Sequence, residues 1–166
     1  MKDHFEALGS LGADREQVLE FFFLFSRFEY ALKRSSVFLK DQERAEADWD
    51  KYGNSLKDRF KAVNDANFLK ALNYLEVNPP SVQIVVNRCL DWKLTSRGDG
   101  ESRERYVLRM IQTVRNNLFH GGKYPYPTGP VPEVARNLQL IEACIAVLNL
   151  CLALSPEVEG HFAEAA

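Results

Sequence analysis

Little in this chain could hold a fold together covalently or through a metal. Its 166 residues include three cysteines, Cys89, Cys144 and Cys151. The odd, scattered set does not make a disulfide framework. No Cys or His stands at metal-ligand spacing to another, so the expectation is three core thiols in a reducing compartment. Asp48, Asp50, Asp58 and Asp65 lack the spacing of a cation loop, and there is no glycine-rich phosphate loop. Metal, nucleotide and Ser-His-Asp chemistries are therefore unsupported, and no cofactor is expected. Charge of one sign is also lacking. With 21 Lys and Arg against 23 Asp and Glu, the formal net charge is −2. A surface-wide attraction to nucleic acid is excluded, and any RNA contact must come from a local cluster. The apolar runs at Leu19–Phe25 and Ala143–Leu154 are short, and the opening residues Met1 to Glu6 carry no apolar targeting segment. The expectation is a cytoplasmic protein with no membrane partner.

What is present is helical periodicity. Apolar residues make up 46% of the chain and charged residues 27%, the proportions of an ordinary globular domain. A first helix is expected from about Asp14, as N-cap, to Leu39. Val18, Phe21, Phe22, Phe25, Phe28 and Leu32 form one apolar stripe, and Leu19, Phe23, Tyr30 and Val37 form a second, offset one. The first stripe can face the protein's own core; the second needs a further helix or a second chain. Trp49, Tyr52, Leu56, Phe60 and Val63 predict an amphipathic helix weakened at Gly53-Asn54. Another helix runs from about Asn67 to Val77 and stops at Asn78-Pro79-Pro80. Ser81–Trp92 reads as one short helix opened by the prolines; its Ile84-Val85-Val86 suits a strand but has no obvious partner. Leu94–Glu104 reads as a flexible loop. A helix from about Ser102 to Phe119 or His120 closes at Gly121-Gly122. After a proline-rich connector, a last helix spans roughly Glu133–Leu154 and is apolar over a wide arc. The expected fold is a single all-α domain over residues 1–166, a bundle of four or five helices.

The chemistry gathers on the helix that ends at Gly121. Its core stripe is Val107, Met110, Ile111, Val114 and Leu118. At about 100° per residue, Arg105, Arg109, Gln112, Asn116 and His120 fan over the opposite face. Arg115 and His120 lie about 140° apart by the same count, so one helix alone does not close a site around them. A cleft between two copies of the helix would gather two of each around one phosphate.

The run Arg115-Asn116-Asn117-Leu118-Phe119-His120-Gly121-Gly122 resembles the Arg-four-residues-His signature of the HEPN superfamily (higher eukaryotes and prokaryotes nucleotide-binding). Toxins, abortive-infection proteins and nuclease domains of RNA-guided effectors belong to it. The match covers Arg115, Asn116 and His120, and extends to the helical bundle with long first and last helices. Phe25-Ser26-Arg27-Phe28-Glu29-Tyr30-Ala31-Leu32 also resembles first helices of that family, in which an acidic residue often faces the motif helix; Glu29 is the candidate here. The resemblance implies a homodimeric, metal-independent endoribonuclease acting as a toxin or defence effector, with an antitoxin protein as a candidate partner. The implied catalytic residues are Arg115, Asn116 and His120. His120 titrates near neutrality and can relay a proton. Arg115 offers a planar fork for phosphate oxygens. Asn116 can orient either of them. Arg105, Arg109, Lys123, Tyr124 and Tyr126 are candidate RNA contacts, the tyrosines by base stacking. Gly122 occupies the place where one branch of the family carries a modified tyrosine, so that regulation is not carried over. The alternative is an inactive HEPN-like scaffold that dimerises and binds RNA or a protein.

Overall fold

The computed structural model describes residues 15–119 and 134–164. Among them are seven helices and one two-stranded sheet. The helices are α1 (Arg15–Arg34), α2 (Trp49–Ser55), α3 (Arg59–Ala62), α4 (Ala66–Val77), α5 (Arg103–Phe119), α6 (Val134–Ala153) and α7 (Pro156–Glu164). The strands are β1 (Val82–Val86) and β2 (Cys89–Lys93). The protein is mostly helical, but the hairpin corrects the all-α expectation, and short helices raise the count above four or five. Four helices have twelve residues or more.

The core is the meeting of α1, α4, α5 and α6. Each supplies an apolar face at helical spacing, and burying it is the dominant stabilising term. On α1 the buried residues are Val18, Phe21, Leu24, Phe25, Phe28, Ala31 and Leu32. Phe22, assigned to the core stripe, is exposed, and Leu24 takes the buried position. The second stripe, Leu19, Phe23, Tyr30 and Val37, stays exposed, so no helix among the described residues covers it. Helix α6 runs between α1 and α4 and buries Leu140, Ile141, Cys144, Val147, Leu148 and Cys151. Among the described residues, Ala135–Ala153 is the one helix long and apolar enough to cross a bilayer; its apolar arc is occupied by α1 and α4.

Several boundaries depart from expectation for local reasons. Helix α1 ends at Arg34; the Ser35 N–H closes the last turn on the Ala31 carbonyl at 3.1 Å, and its hydroxyl donates to Glu157. Asp14 lies outside the described residues. The expected helix around Trp49–Val63 divides into α2 and α3 at Leu56–Asp58. Two of the aspartates are helix caps. Asp48 accepts from Lys51 N–H at 2.9 Å and Asp65 from Phe68 N–H at 2.7 Å. Helix α7 was not foreseen, yet its start has a readable signal: Ser155 stands before Pro156 at the first helical position. It folds back on α1, where Arg27 lies over the Phe162 ring at 4.1 Å and donates to the Phe162 carbonyl at 2.9 Å.

The hairpin replaces the helix expected over Ser81–Trp92. Asn87 and Arg88 both have positive φ, 52° and 66°. Such a two-residue turn matches the twist of a β-hairpin and accepts Asn readily. It brings Cys89–Lys93 back onto Val82–Val86 and makes the partner that the sequence did not reveal. Cys89 consequently sits exposed on the ribbon; only Cys144 and Cys151 are core thiols. Burial pushes both of those thiols well above the ordinary range.

Gly53 lets α2 approach α5 closely. A Cβ there would lie 2.9 Å from Arg105 Cγ and 3.1 Å from Arg105 Cα. The backbone atom cannot yield without moving a helix. Gly53→Ala is expected to cost about 1–3 kcal/mol by overpacking, read as a lower urea midpoint with an unchanged slope. An unchanged midpoint would show that α2 is free to shift.

Candidate functional site

Helix α5 begins at Ser102, whose Oγ accepts from Arg105 N–H at 3.3 Å. It is buried around more of its circumference than its core stripe alone requires. Besides Val107, Met110, Ile111 and Val114 of that stripe, it buries Glu104, Tyr106, Leu108, Thr113 and Asn117, with Leu118 half-buried. The solvent-facing arc is narrowed to Arg105, Arg109, Gln112 and Asn116, with Arg115 half-buried at its margin.

Arg115 is at the mouth of a cleft of roughly 160 Å³ between α1 and the last turn of α5. Phe22, Phe25, Ser26, Glu29 and Lys33 form the α1 wall. The guanidinium stands 5.5 Å from the Phe25 ring centroid and donates to Asn116 Oδ1 at 3.0 Å. The exposed Asn116 thus holds Arg115, one of the two roles foreseen for it. Glu29 is paired with Lys33 at 3.5 Å on the same wall. The cleft therefore carries two cations and one carboxylate. The end of α5 is pinned to the start of α1 by Phe119 and Phe22, whose rings are 5.0 Å apart.

The family resemblance implied that Glu29 faces the motif helix, and Glu29 lines the same cleft as Arg115. Ser26 and Lys33 were not singled out. They follow Phe22 and flank Glu29 at the spacing of one helix face, a signal that could have found them. Asn117, the second asparagine of the motif, is buried and donates to the Ser81 carbonyl at 2.8 Å. It ties the motif helix to the base of the hairpin, a role visible only in three dimensions. His120, Lys123, Tyr124 and Tyr126 lie outside the described residues.

Arg105 and Arg109 are engaged within the chain. Arg105 Nε donates to Asp50 Oδ1 at 2.9 Å and bridges α5 to α2. Arg109 makes a two-point contact to Glu101 at 2.8 and 2.7 Å and reaches the Ser96 carbonyl at 3.0 Å. Arg103 grips Glu76 on α4 in the same two-point manner, at 2.7 and 2.6 Å. The basic residues along the outer arc thus clamp neighbouring elements. The loop after β2, expected to be flexible, is held by these bonds and by Gly98 N–H donating to Glu101 at 2.9 Å.

Arg109 beside it holds the Glu101 carboxyl below its ordinary value of 4.5, with the Gly98 N–H acting in the same direction and burial opposing. A carboxyl whose folded value is lowered stabilises the fold above its unfolded value, and that contribution is lost as pH falls through the folded one. Glu101→Gln is therefore expected to lower stability by about 1 kcal/mol at neutral pH, a figure discounted for the exposure of Arg109. The gap to wild type should close as the wild-type protein is acidified below pH 4.5. Urea unfolding across that range checks it; a gap independent of pH would remove the carboxylate as its cause.

Among the described residues, no group of three or more His, Cys, Asp or Glu side chains is placed to hold a metal. Comparisons of the chain with protein-family models, with curated proteins and with solved structures give no match.

Proposed function

We propose that the chain is a HEPN-type endoribonuclease that cleaves RNA without a metal, in a cytoplasmic toxin or defence role. The reading is carried by one observation. Arg115 stands half-buried at a cationic cleft, oriented by Asn116, on the last turn of a helix whose sequence continues into His120. The four long helices are compatible with the bundle that this reading requires.

In the proposed reaction the ribose 2′-oxygen forms a bond to the adjacent phosphorus and the bond from phosphorus to the 5′-oxygen breaks. The products are a 2′,3′-cyclic phosphate and a free 5′-hydroxyl. His120 takes the 2′-hydroxyl proton or returns one to the leaving oxygen. Two histidines, one from each copy in a homodimer, can divide these roles. Arg115 binds the non-bridging oxygens as charge builds on them. Glu29 and Lys33, paired on the α1 wall, set the field at the cleft. The exposed Leu19, Phe22, Phe23 and Tyr30 of α1 offer the apolar surface for the second copy, or for an antitoxin protein.

Incubation of purified protein with single-stranded RNA in excess chelator tests the reading. Cleavage leaving cyclic phosphate ends, absent with His120→Ala and with 2′-deoxy substrate, is the expected result. Equal background in every lane overturns it. That outcome selects the inactive dimerising scaffold, which the internal ion pairs of Arg105 and Arg109 favour.

A further inference from the structure

The ribbon β1–β2 is joined to the body on one side only. β1 is half-buried over Val82–Ile84, whereas β2 is exposed except at Trp92. The far edge of β2 pairs with nothing among the described residues. Because the turn is the two residues Asn87 and Arg88, the closing pair Val86–Cys89 is hydrogen-bonded. By alternation Asp91 and Lys93 also turn their backbone groups toward β1, and Leu90 and Trp92 turn theirs outward. The Trp92 N–H accordingly donates to the side chain of Asp91, at 2.8 Å.

The side chains alternate in the same way. Trp92 and Leu90 share a face with Val85 and Leu94, of which Val85 is 70% and Leu94 76% exposed. Asp91 and Lys93 occupy the other face, where their cross-strand neighbours are the apolar Ile84 and Val82. The ribbon thus presents an edge that no strand pairs, its Trp92 N–H held by the adjacent Asp91 side chain. It also presents a row of Val85, Leu90, Trp92 and Leu94 that also holds Gln83, and two opposite charges that face no opposite charge across the strand pair.

We propose that β2 pairs with β2 of a second copy, antiparallel about Trp92, to make a four-stranded sheet across a two-fold axis. This register uses the outward backbone groups of both strands. It sets Leu90 beside the partner's Leu94, and Trp92 beside the partner's Trp92, with Val85 extending the apolar row at each end. On the opposite face it sets Asp91 against the partner's Lys93, twice by symmetry. Moving the axis one residue either way juxtaposes Asp91 with the partner's Asp91 or Lys93 with the partner's Lys93. The outward groups of Leu90, Trp92 and Leu94 still meet in those registers, so the ladder admits all three and charge selects this one.

The inference does not rest on the nuclease reading, and its test reads mass rather than cleavage. Sedimentation of the full chain over a range of micromolar concentrations should show self-association. Asp91→Lys and Lys93→Glu, each placing like charges together, should each weaken it about tenfold or more. The double variant Asp91→Lys/Lys93→Glu should restore it to near the wild-type value. If a second contact through α1 is present, the single variants reduce a tetramer to a dimer. Far-UV circular dichroism confirms that the helical body is unchanged, and should one single variant fail to fold, the other carries the test. A wild-type monomer throughout the range overturns the proposal. So does a double variant no better than the singles, or association insensitive to both charges and lost on Phe23→Glu, which would place the second copy on α1.

Discussion

Arg115→Ala is expected to fold like the wild type and to lose RNA cleavage by about 10²- to 10³-fold, the range for removing one donor aimed at developing charge. The side chain is at the cleft mouth rather than in the core, and its contact with the Phe25 ring is 5.5 Å long. Losing that contact costs about 0.5–1 kcal/mol, a small change in urea midpoint. The large effect is reserved for the reaction. Arg115→Lys sharpens the test. A lysine keeps the charge but not the planar fork, and it cannot donate to Asn116 and grip two phosphate oxygens in one plane. If two-point contact to phosphate is what Arg115 supplies, the lysine variant recovers only a small part of the lost rate. An alanine variant that cleaves at the wild-type rate would remove Arg115 from the reaction, whatever His120→Ala does.

The largest loss of stability is expected at Phe28. It is fully buried and stacks on Trp49 at 5.6 Å with the rings 13° from parallel. Tyr52 meets it edge-on at 5.5 Å. Tyr52 in turn donates to the Cys151 carbonyl at 3.0 Å and lies 3.0 Å from Ser155 Oγ. One ring therefore joins α1 to α2, and through Tyr52 to the α6–α7 junction. Phe28→Ala is expected to cost about 3–5 kcal/mol, because rigid helices on several sides cannot close the hole. Phe23→Ala on the same helix, 59% exposed, should change stability by less than about 1 kcal/mol. Chemical denaturation of the pair measures the contrast; equal losses would show that the exposed stripe of α1 is covered in solution.

That contrast marks how far periodicity reads. The buried arc of α1 was legible because Phe21, Phe25, Phe28 and Leu32 repeat at helical spacing. With a phenylalanine at each of 21, 22 and 23, however, composition cannot say which one α6 and α7 cover. The candidate site was partly legible in the same sense. Arg115, Asn116 and Glu29 were found by spacing and resemblance; the cleft brings Arg115 and Glu29 together, and Asn116 is bonded to Arg115 beside it. Ser26 and Lys33 were passed over because a serine and a lysine on a charged helix carry no signal without a neighbour. Arg105 and Arg109 pointed to a nucleic-acid contact because neither Asp50, 55 positions from Arg105, nor Glu101, 8 positions before Arg109, gave a sign of meeting them.

The sequence by itself determined the long helices, their stops at Pro79-Pro80, and a polar edge on the helix that carries the arginine and asparagine motif. These follow from interactions within a few residues: the turn-to-turn repeat of apolar side chains, the caps, and the geometry of proline. The tertiary structure alone decided the ribbon, the place of Asn117 at its base, and the internal pairing of the outer arginines. Asn117 and Arg105 depend on which remote segment packs beside them, and the ribbon and the Arg109 pair on how the chain turns between neighbouring segments. A five-residue strand gains its hydrogen bonds only when another strand lies against it, and an arginine's partner is set by whichever carboxylate the packing brings within reach.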